Sequence, residues 1–284
     1  MPYRGGMLEV REWRAGDTAG FFRVPGADDD KFSRGVVGLR TGSAQYPGAA
    51  VLGVEAAWRS GIGFVRYAGD ATAAVLARRP ETVTGDPARI RVDAWVIGSG
   101  TDGGARDEHE TAVLRELLAG DVPVVTDAGA LDLAVAAAAP LILTPHAGEF
   151  ARLCEALSID APAPGDHAER ELRLRAVAAD LGQVVLLKGA RTLVADPSGT
   201  LLAVSAAPGW LATAGAGDVL AGVLGALVAA HPTAPRAEVA AAAAWLHGHA
   251  AAIASGTAQG GAGHPILALD VAEALPAAIG SLLA

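Results

Sequence analysis

The residues best suited to chemistry lie in Pro208-Gly209-Trp210-Leu211-Ala212-Thr213-Ala214-Gly215-Ala216-Gly217-Asp218, which runs straight into an apolar stretch from Val219 to Ala230. Small residues that end in a carboxylate and open into a helix make an anion site. Backbone N–H groups of Ala214, Gly215, Ala216 and Gly217, with the positive end of the helix dipole, would cradle a phosphate. Asp218 stands where it could take a proton beside that phosphate, so the stretch points to phosphoryl chemistry. A helix amino terminus also lowers a carboxylate's pKa, and the same aspartate can be read as a helix cap alone.

Other candidates gather at the ends of apolar runs. Thr144-Pro145-His146-Ala147-Gly148-Glu149-Phe150 puts His146 at the carboxyl end of a strand, the edge on which open α/β sheets hold ligands. His146 could donate to a phosphate or a carboxamide; taken alone, the segment also reads as a strand stopped by Pro145 and a helix capped by Glu149. Lys188-Gly189-Ala190-Arg191-Thr192 ends another run, bringing Lys188 to the same edge. The pattern G-x-x-x-x-G-K-[ST] is absent, so this is not a P-loop enzyme. Gly98-Ser99-Gly100-Thr101-Asp102-Gly103 matches G-x-G-x-x-G, with Asp127 closing the next run. It reads either as a dinucleotide-binding turn or as plain strand-to-loop chemistry. His247 and His249 are two residues apart on an alanine-rich helix, face different ways and cannot form an i, i+4 metal pair. Both are expected to be structural. No direct protein ligand to a metal is predicted, and a nucleotide-bound Mg²⁺ is the one metal expected.

These residues need a scaffold. Short Val/Ile/Leu runs alternate with longer Ala/Leu-rich segments, the pattern of βα units around a buried, mostly parallel sheet. Strands are predicted over 36–39, 94–97, 122–126, 141–144 and 184–187. Helices are predicted over 49–60, 108–119, 131–138, 149–157 and 168–180. Residues 192–196 and 201–204, around Pro197-Ser198-Gly199, predict a hairpin; after it come helices over 218–230, 237–254 and 270–283. One domain over 1–284 is expected, with residues 1–30 an extension or an edge element.

Composition narrows the function classes. A hydrophobic share of 51% with 19% charged residues excludes disorder. A formal net charge of −9 with no Lys/Arg cluster argues against nucleic acid. The longest uncharged apolar run is shorter than a bilayer span, and Met1 to Trp13 lacks a signal-peptide core, so no membrane association is expected. The single Cys154 fits a reducing, cytoplasmic setting and reads as a small core residue.

In this order, the motifs resemble the ADP- or ATP-dependent NAD(P)H-hydrate dehydratases, a branch of the ribokinase-like fold. The resemblance runs from about Lys31 to Ala252. It rests on Thr41-Gly42-Ser43 with Tyr46-Pro47-Gly48-Ala49-Ala50, on Gly98-Ser99-Gly100, on Thr144 to Phe150, on Leu187-Lys188-Gly189-Ala190 and on Leu211 to Asp218. It implies a three-layer α/β/α fold with a mostly parallel sheet and a carboxyl-terminal hairpin and helical region. It also implies that Ala49, Gly100, His146 and Asp218 lie against the hydrated dinucleotide NAD(P)HX, with Asp218 catalytic. Lys188, Gly189, Ala190, Arg191, Thr192 and Gly217 would hold ADP or ATP, with Mg²⁺ as cofactor. The implied reaction is dehydration of the S epimer, coupled to nucleotide cleavage through a phosphorylated intermediate.

Longer family members carry an epimerase domain, which the residues before Lys31 are too few to encode. A stand-alone dehydratase served by a separate epimerase is therefore expected, as is a homo-oligomer, possibly a tetramer. The alternatives are a ribokinase-like kinase of a small thiazole- or pyridoxine-type alcohol and a catalytically silent nucleotide-binding protein. The sequence departs from the family pattern at Asp127-Ala128-Gly129, at Ala206-Ala207 and at Ala216, and the departures near Gly129 and Ala207 are the features that suggest the silent protein.

Overall fold

Strands that are apolar on every residue must be buried on both faces. In the computed structural model, which describes residues 9–89 and 91–284, such strands form the centre of one sheet. In chain order its elements are β1 (Arg11–Glu12), α1 (Ala15–Ala19), β2 (Val36–Arg40), α2 (Pro47–Arg59), β3 (Phe64–Tyr67), α3 (Thr72–Arg78), β4 (Val83–Thr84) and β5 (Ala94–Ile97). There follow α4 (Glu108–Leu118), β6 (Val124–Thr126), β7 (Leu141–Leu143), α5 (Ala147–Ala156), α6 (His167–Leu181), β8 (Val184–Leu187), β9 (Thr192–Ala195) and β10 (Leu201–Val204). The last helices are α7 (Ala216–Ala230), α8 (Arg236–Ala254) and α9 (Ala268–Leu283).

The strand order is β1-β10-β9-β8-β7-β6-β5-β2-β3-β4, and only β9 runs antiparallel to its neighbours. One core, under α2, α7, α8 and α9, fills one face of the sheet; a second, under α4, α5 and α6, fills the other. This is the expected three-layer α/β/α arrangement with its hairpin, β9 and β10. Among the described residues no helix is long and apolar enough to cross a membrane.

Two sequence expectations need correction. Residues 131–138 do not form an α-helix; Ala128–Ala136 is a 3₁₀ stretch, entered through Ala128 at φ 43°. The G-x-G-x-x-G segment opens no helix, because α4 starts only at Glu108, capped by Asp107 through the Glu110 N–H. A dinucleotide-binding turn needs its helix terminus at the glycines, so that reading falls.

Close packing fixes the helix that carries Asp218. A Cβ on Gly222 would lie 2.2 Å from the Gly53 carbonyl oxygen, and one on Gly225 would lie 2.1 Å from a Val96 methyl. The two glycines let α7 sit directly on α2 and on β5, where no side chain would fit.

Candidate active site

The chain leaves β2 toward β3 on one side and returns to β5 on the other, a topological switch point. Ligands of open α/β sheets bind in the crevice outside the carboxyl ends of such strands. Here the Gly42 N–H donates to the Ser99 carbonyl at 2.7 Å, which ties the two strand-end loops together. Gly100, at φ +68°, packs so tightly that a Cβ would meet that of Ala49 at 2.2 Å. Ala49 and Gly100 are thus the floor of one crevice.

Asp127, at the end of β6, is the node beside that floor. Its carboxylate accepts from Ser99 Oγ at 2.9 Å, from Thr144 Oγ1 at 2.8 Å and from Lys188 Nζ at 2.8 Å. Nothing local in the sequence marks Asp127 for this task, because its partners are 28, 17 and 61 residues away. The Lys188 ammonium also lies 3.8 Å from the Glu149 carboxylate, and a Cβ on Gly217 would lie 3.5 Å from Nζ. Lys188 therefore stands between the His146 segment and the glycine loop.

His146 is the N-cap of α5. Its Nδ1 accepts from the Gly148 N–H at 3.0 Å, and the Glu149 carboxylate accepts from the His146 N–H at 2.8 Å, a reciprocal capping box. With Nδ1 an acceptor, the neutral ring carries its proton on Nε2, a donor 3.4 Å from the Glu149 carboxylate on a side chain that is 57% exposed. Capping and ligand donation are compatible in one imidazole, so the two sequence readings of this segment do not compete.

Gly215 adopts φ 86° and caps α7, and Val219 is the first residue to join the ladder, its N–H donating to the Gly215 carbonyl at 3.2 Å. Asp218 sits three residues into the helix, so it is not the cap. Burial pushes its carboxyl up to about 6; the negative charge of Asp127 adds to the rise and the Lys188 ammonium offsets part of it. The expectation of a carboxylate weakened by the helix dipole is thereby reversed. Among the described residues nothing donates a hydrogen bond to Asp218, which remains an available base.

A cavity of about 350 Å³ opens between Lys188, Gly189, Ala190 and Thr192 on one side and Ala216, Gly217 and Leu220 on the other. Its wall includes His247. This imidazole is buried, which pushes its pKa down to about 4, although the Ala216 carbonyl accepts a hydrogen bond from it. Its Nε2 has no partner. The sequence expects both His247 and His249 to be structural; His249 is held away from the cavity, stacked on Trp245 and within 3.1 Å of Ser281 Oγ. The Arg191 side chain is not part of the wall, because Glu171 and Glu12 hold it at 2.8 and 2.6 Å. Among the described residues no three His, Cys, Asp or Glu side chains converge on a possible metal.

The layered sheet with one antiparallel strand gives the chain the ribokinase-like fold. The chain belongs to the NAD(P)H-hydrate dehydratase family, whose model matches residues 37–274. It is 43% identical over 251 residues to the bifunctional NAD(P)H-hydrate repair enzyme Nnr of Mycobacterium leprae, covering 85% of this chain and 50% of that one. To the ADP-dependent (S)-NAD(P)H-hydrate dehydratase of Neisseria meningitidis it is 37% identical over 271 residues, 89% of this chain and 88% of that one. The ADP/ATP-dependent NAD(P)H-hydrate dehydratase of Bacillus subtilis, co-crystallized with ATP/Mg²⁺, superposes with a TM-score of 0.83 at 27% identity, covering 97% and 99%. The chain thus spans about half the length of the bifunctional relative and most of the length of the other two.

Proposed function

We propose that this protein dehydrates the S epimer of NAD(P)H hydrate at the expense of ADP or ATP. The observation that carries the reading is Asp218: a partly buried carboxylate with no hydrogen-bond donor among the described residues, a pKa raised to about 6, beside Lys188 and at the first turn of α7. The family supports the substrate class. Ala49, Gly100 and His146 would face the hydrated nicotinamide, and the cavity under Lys188 to Thr192 and Gly217 would take the nucleotide, with Arg191 contributing only its backbone.

Asp218 accepts the proton of the C6 hydroxyl as that oxygen attacks the terminal phosphoryl group of the nucleotide. The O–P bond forms, the bond to the leaving nucleotide phosphate breaks, and the product is AMP from ADP or ADP from ATP. Hydroxide is a poor leaving group and phosphate a good one. The ring nitrogen's lone pair then expels phosphate from C6, and loss of the C5 proton restores the dihydronicotinamide. N–H groups from Ala214 to Gly217 stabilise charge on the transferring group, and the Lys188 ammonium adds a counter-charge.

The residues fit a nucleotide-carried Mg²⁺ better than a resident ion, since among the described residues no acidic cluster is present and Asp127 and Glu149 are already engaged. Phosphate oxygens and water would hold it, and it would neutralise phosphate charge. We further propose a cytoplasmic, homo-oligomeric enzyme, with the R epimer converted by an epimerase site other than the one described here.

The test supplies purified (S)-NADHX with ADP or ATP and follows both free phosphate and the near-ultraviolet absorbance of the reduced nicotinamide ring. Equimolar phosphate and dihydronicotinamide, with no consumption of the R epimer, are expected. A stable phosphorylated alcohol as product would favour a kinase, and nucleotide binding without phosphate release on any substrate would favour a silent binding protein.

A further inference from the structure

Among the described residues, five buried side-chain nitrogen or oxygen atoms lack a hydrogen-bond partner, and of these Nε2 of His247 is the one in the wall of the cavity under Lys188. A buried polar atom left unpaired is costly unless a ligand pairs it. The dehydration chemistry makes no use of this ring.

The fold fixes its position. His247 lies on α8 three residues beyond Ala244, so the two share a helix face, and both line the cavity. The helix comes this close because residue 248 is glycine: a Cβ there would stand 2.9 Å from the Ala207 nitrogen. The ring donates to the Ala216 carbonyl in the first turn of α7. Since Nε2 has no partner, the donor is Nδ1, and burial keeps the imidazole neutral. Nε2 therefore presents a lone pair, held in direction by the bond at Nδ1.

The rest of the wall supplies no such acceptor. Its other polar side chains are Lys188, which can only donate, and Thr192, whose hydroxyl is engaged with the Gly189 carbonyl at 3.1 Å. An adenine nucleotide offers donors in two places, the ribose hydroxyls and the amino group of the base, while its ionised phosphates offer none. His247 is bonded to Ala216, within the turn whose N–H groups would take the phosphates. The sugar is the part of the nucleotide joined directly to those phosphates.

We infer that Nε2 of His247 accepts a hydrogen bond from a ribose hydroxyl of ADP or ATP, so that the site selects ribonucleotides over deoxyribonucleotides. This rests on the nucleotide reading of the cavity. A site built to pair a hydroxyl rejects the analogue that lacks it, because its own buried group is then left unpaired. A protonated ring would instead donate to phosphate and be indifferent to the sugar.

The experiment measures calorimetric binding of ADP, 2′-deoxy-ADP and 3′-deoxy-ADP, each with Mg²⁺, and their KM and kcat in turnover of (S)-NADHX. Wild type, His247→Asn and His247→Gln are compared. Asn puts an amide nitrogen near the place of Nδ1, which keeps the donation to Ala216, but has nothing at Nε2; Gln reaches the place of Nε2 with a carbonyl oxygen. Wild type is expected to bind at least one of the deoxy nucleotides about tenfold more weakly than ADP. His247→Asn should weaken ADP by a similar factor, with the loss in KM rather than kcat, and leave the affinity for that deoxy nucleotide where it was. His247→Gln should recover part of the ADP affinity. Wild-type affinities for the three nucleotides within twofold of one another overturn the assignment, as does a His247→Asn loss as large on the deoxy nucleotide as on ADP, which would make the ring purely structural. Proton uptake on ADP binding that disappears in His247→Asn also overturns it, since the ring would then be a donor to phosphate. Selection against a deoxy nucleotide that depends on His247, without any turnover of (S)-NADHX, would keep the assignment and overturn the dehydratase reading.

Discussion

Asp218 combines two properties that usually exclude each other: it lies at a helix amino terminus and yet has a raised pKa of about 6. Burial and Asp127 together outweigh Lys188, so the group is ionised at neutral pH and still basic enough to take a hydroxyl proton. Replacing it with Asn should lower kcat by about 100- to 10,000-fold, the span for a positioned general base. The pH profile of kcat/KM should fall below an apparent pKa near 6, since the ionised form is the active one. Stability moves the other way. A carboxyl whose folded pKa is raised above its ordinary value favours folding at low pH, and loses that contribution as pH rises through about 6. After discounting for partial exposure, ionised Asp218 costs about 2 kcal/mol at neutral pH. Asp218→Asn should therefore raise Tm at pH 7.5 and not at pH 4, measured by calorimetry at both. The residue itself was legible in the sequence from its glycine loop. Its pKa was not, because the burial and charge come from elements far along the chain, and for the same reason the sequence marks Asp127 only as the acid closing a possible dinucleotide-binding unit, with no sign of its contacts to Ser99, Thr144 and Lys188.

At the scale of elements, the long buried strands and amphipathic helices could be read from periodicity, and β5, β8 and β10 have the boundaries their apolar runs predict. β3 was missed because Arg66 interrupts a run of four, β4 because it is two residues long, and the 3₁₀ stretch because alanine-rich composition promises an α-helix that Ala128 does not begin. Sequence shows that α7 is apolar but not what it touches. Gly222 lies one turn beyond Asp218 and rests on the Gly53 carbonyl. Gly222→Ala should overpack this contact, costing about 1–3 kcal/mol, and push the amino-terminal turn of α7 off α2. The expected outcome is a lower Tm together with a lower kcat. A variant with lowered Tm and wild-type kcat would mean that the position of Asp218 does not depend on the α2–α7 contact.

Over the whole molecule, the protein and the substrates proposed for it carry charge of the same sign. The net charge is −9, while ADP and a dinucleotide are both anions. Attraction to them is local, from the open turn of α7 and from Lys188, which is itself largely balanced by Asp127 and Glu149. Two fields of opposite sign thus act over different ranges. The repulsive field of the whole surface reaches across water and is screened over about 10 Å at 0.1 M salt; the backbone N–H groups act at contact, where salt has little effect. Raising ionic strength should therefore remove repulsion first. For a basic nucleotide-binding surface kcat/KM falls as salt is added; here kcat/KM for ADP should instead rise, by about twofold, between 10 and 150 mM NaCl. The measurement is initial-rate kinetics in ADP at saturating dinucleotide and fixed Mg²⁺. A steep fall over the same range would mean that long-range attraction, from a patch this charge distribution does not contain, governs nucleotide capture.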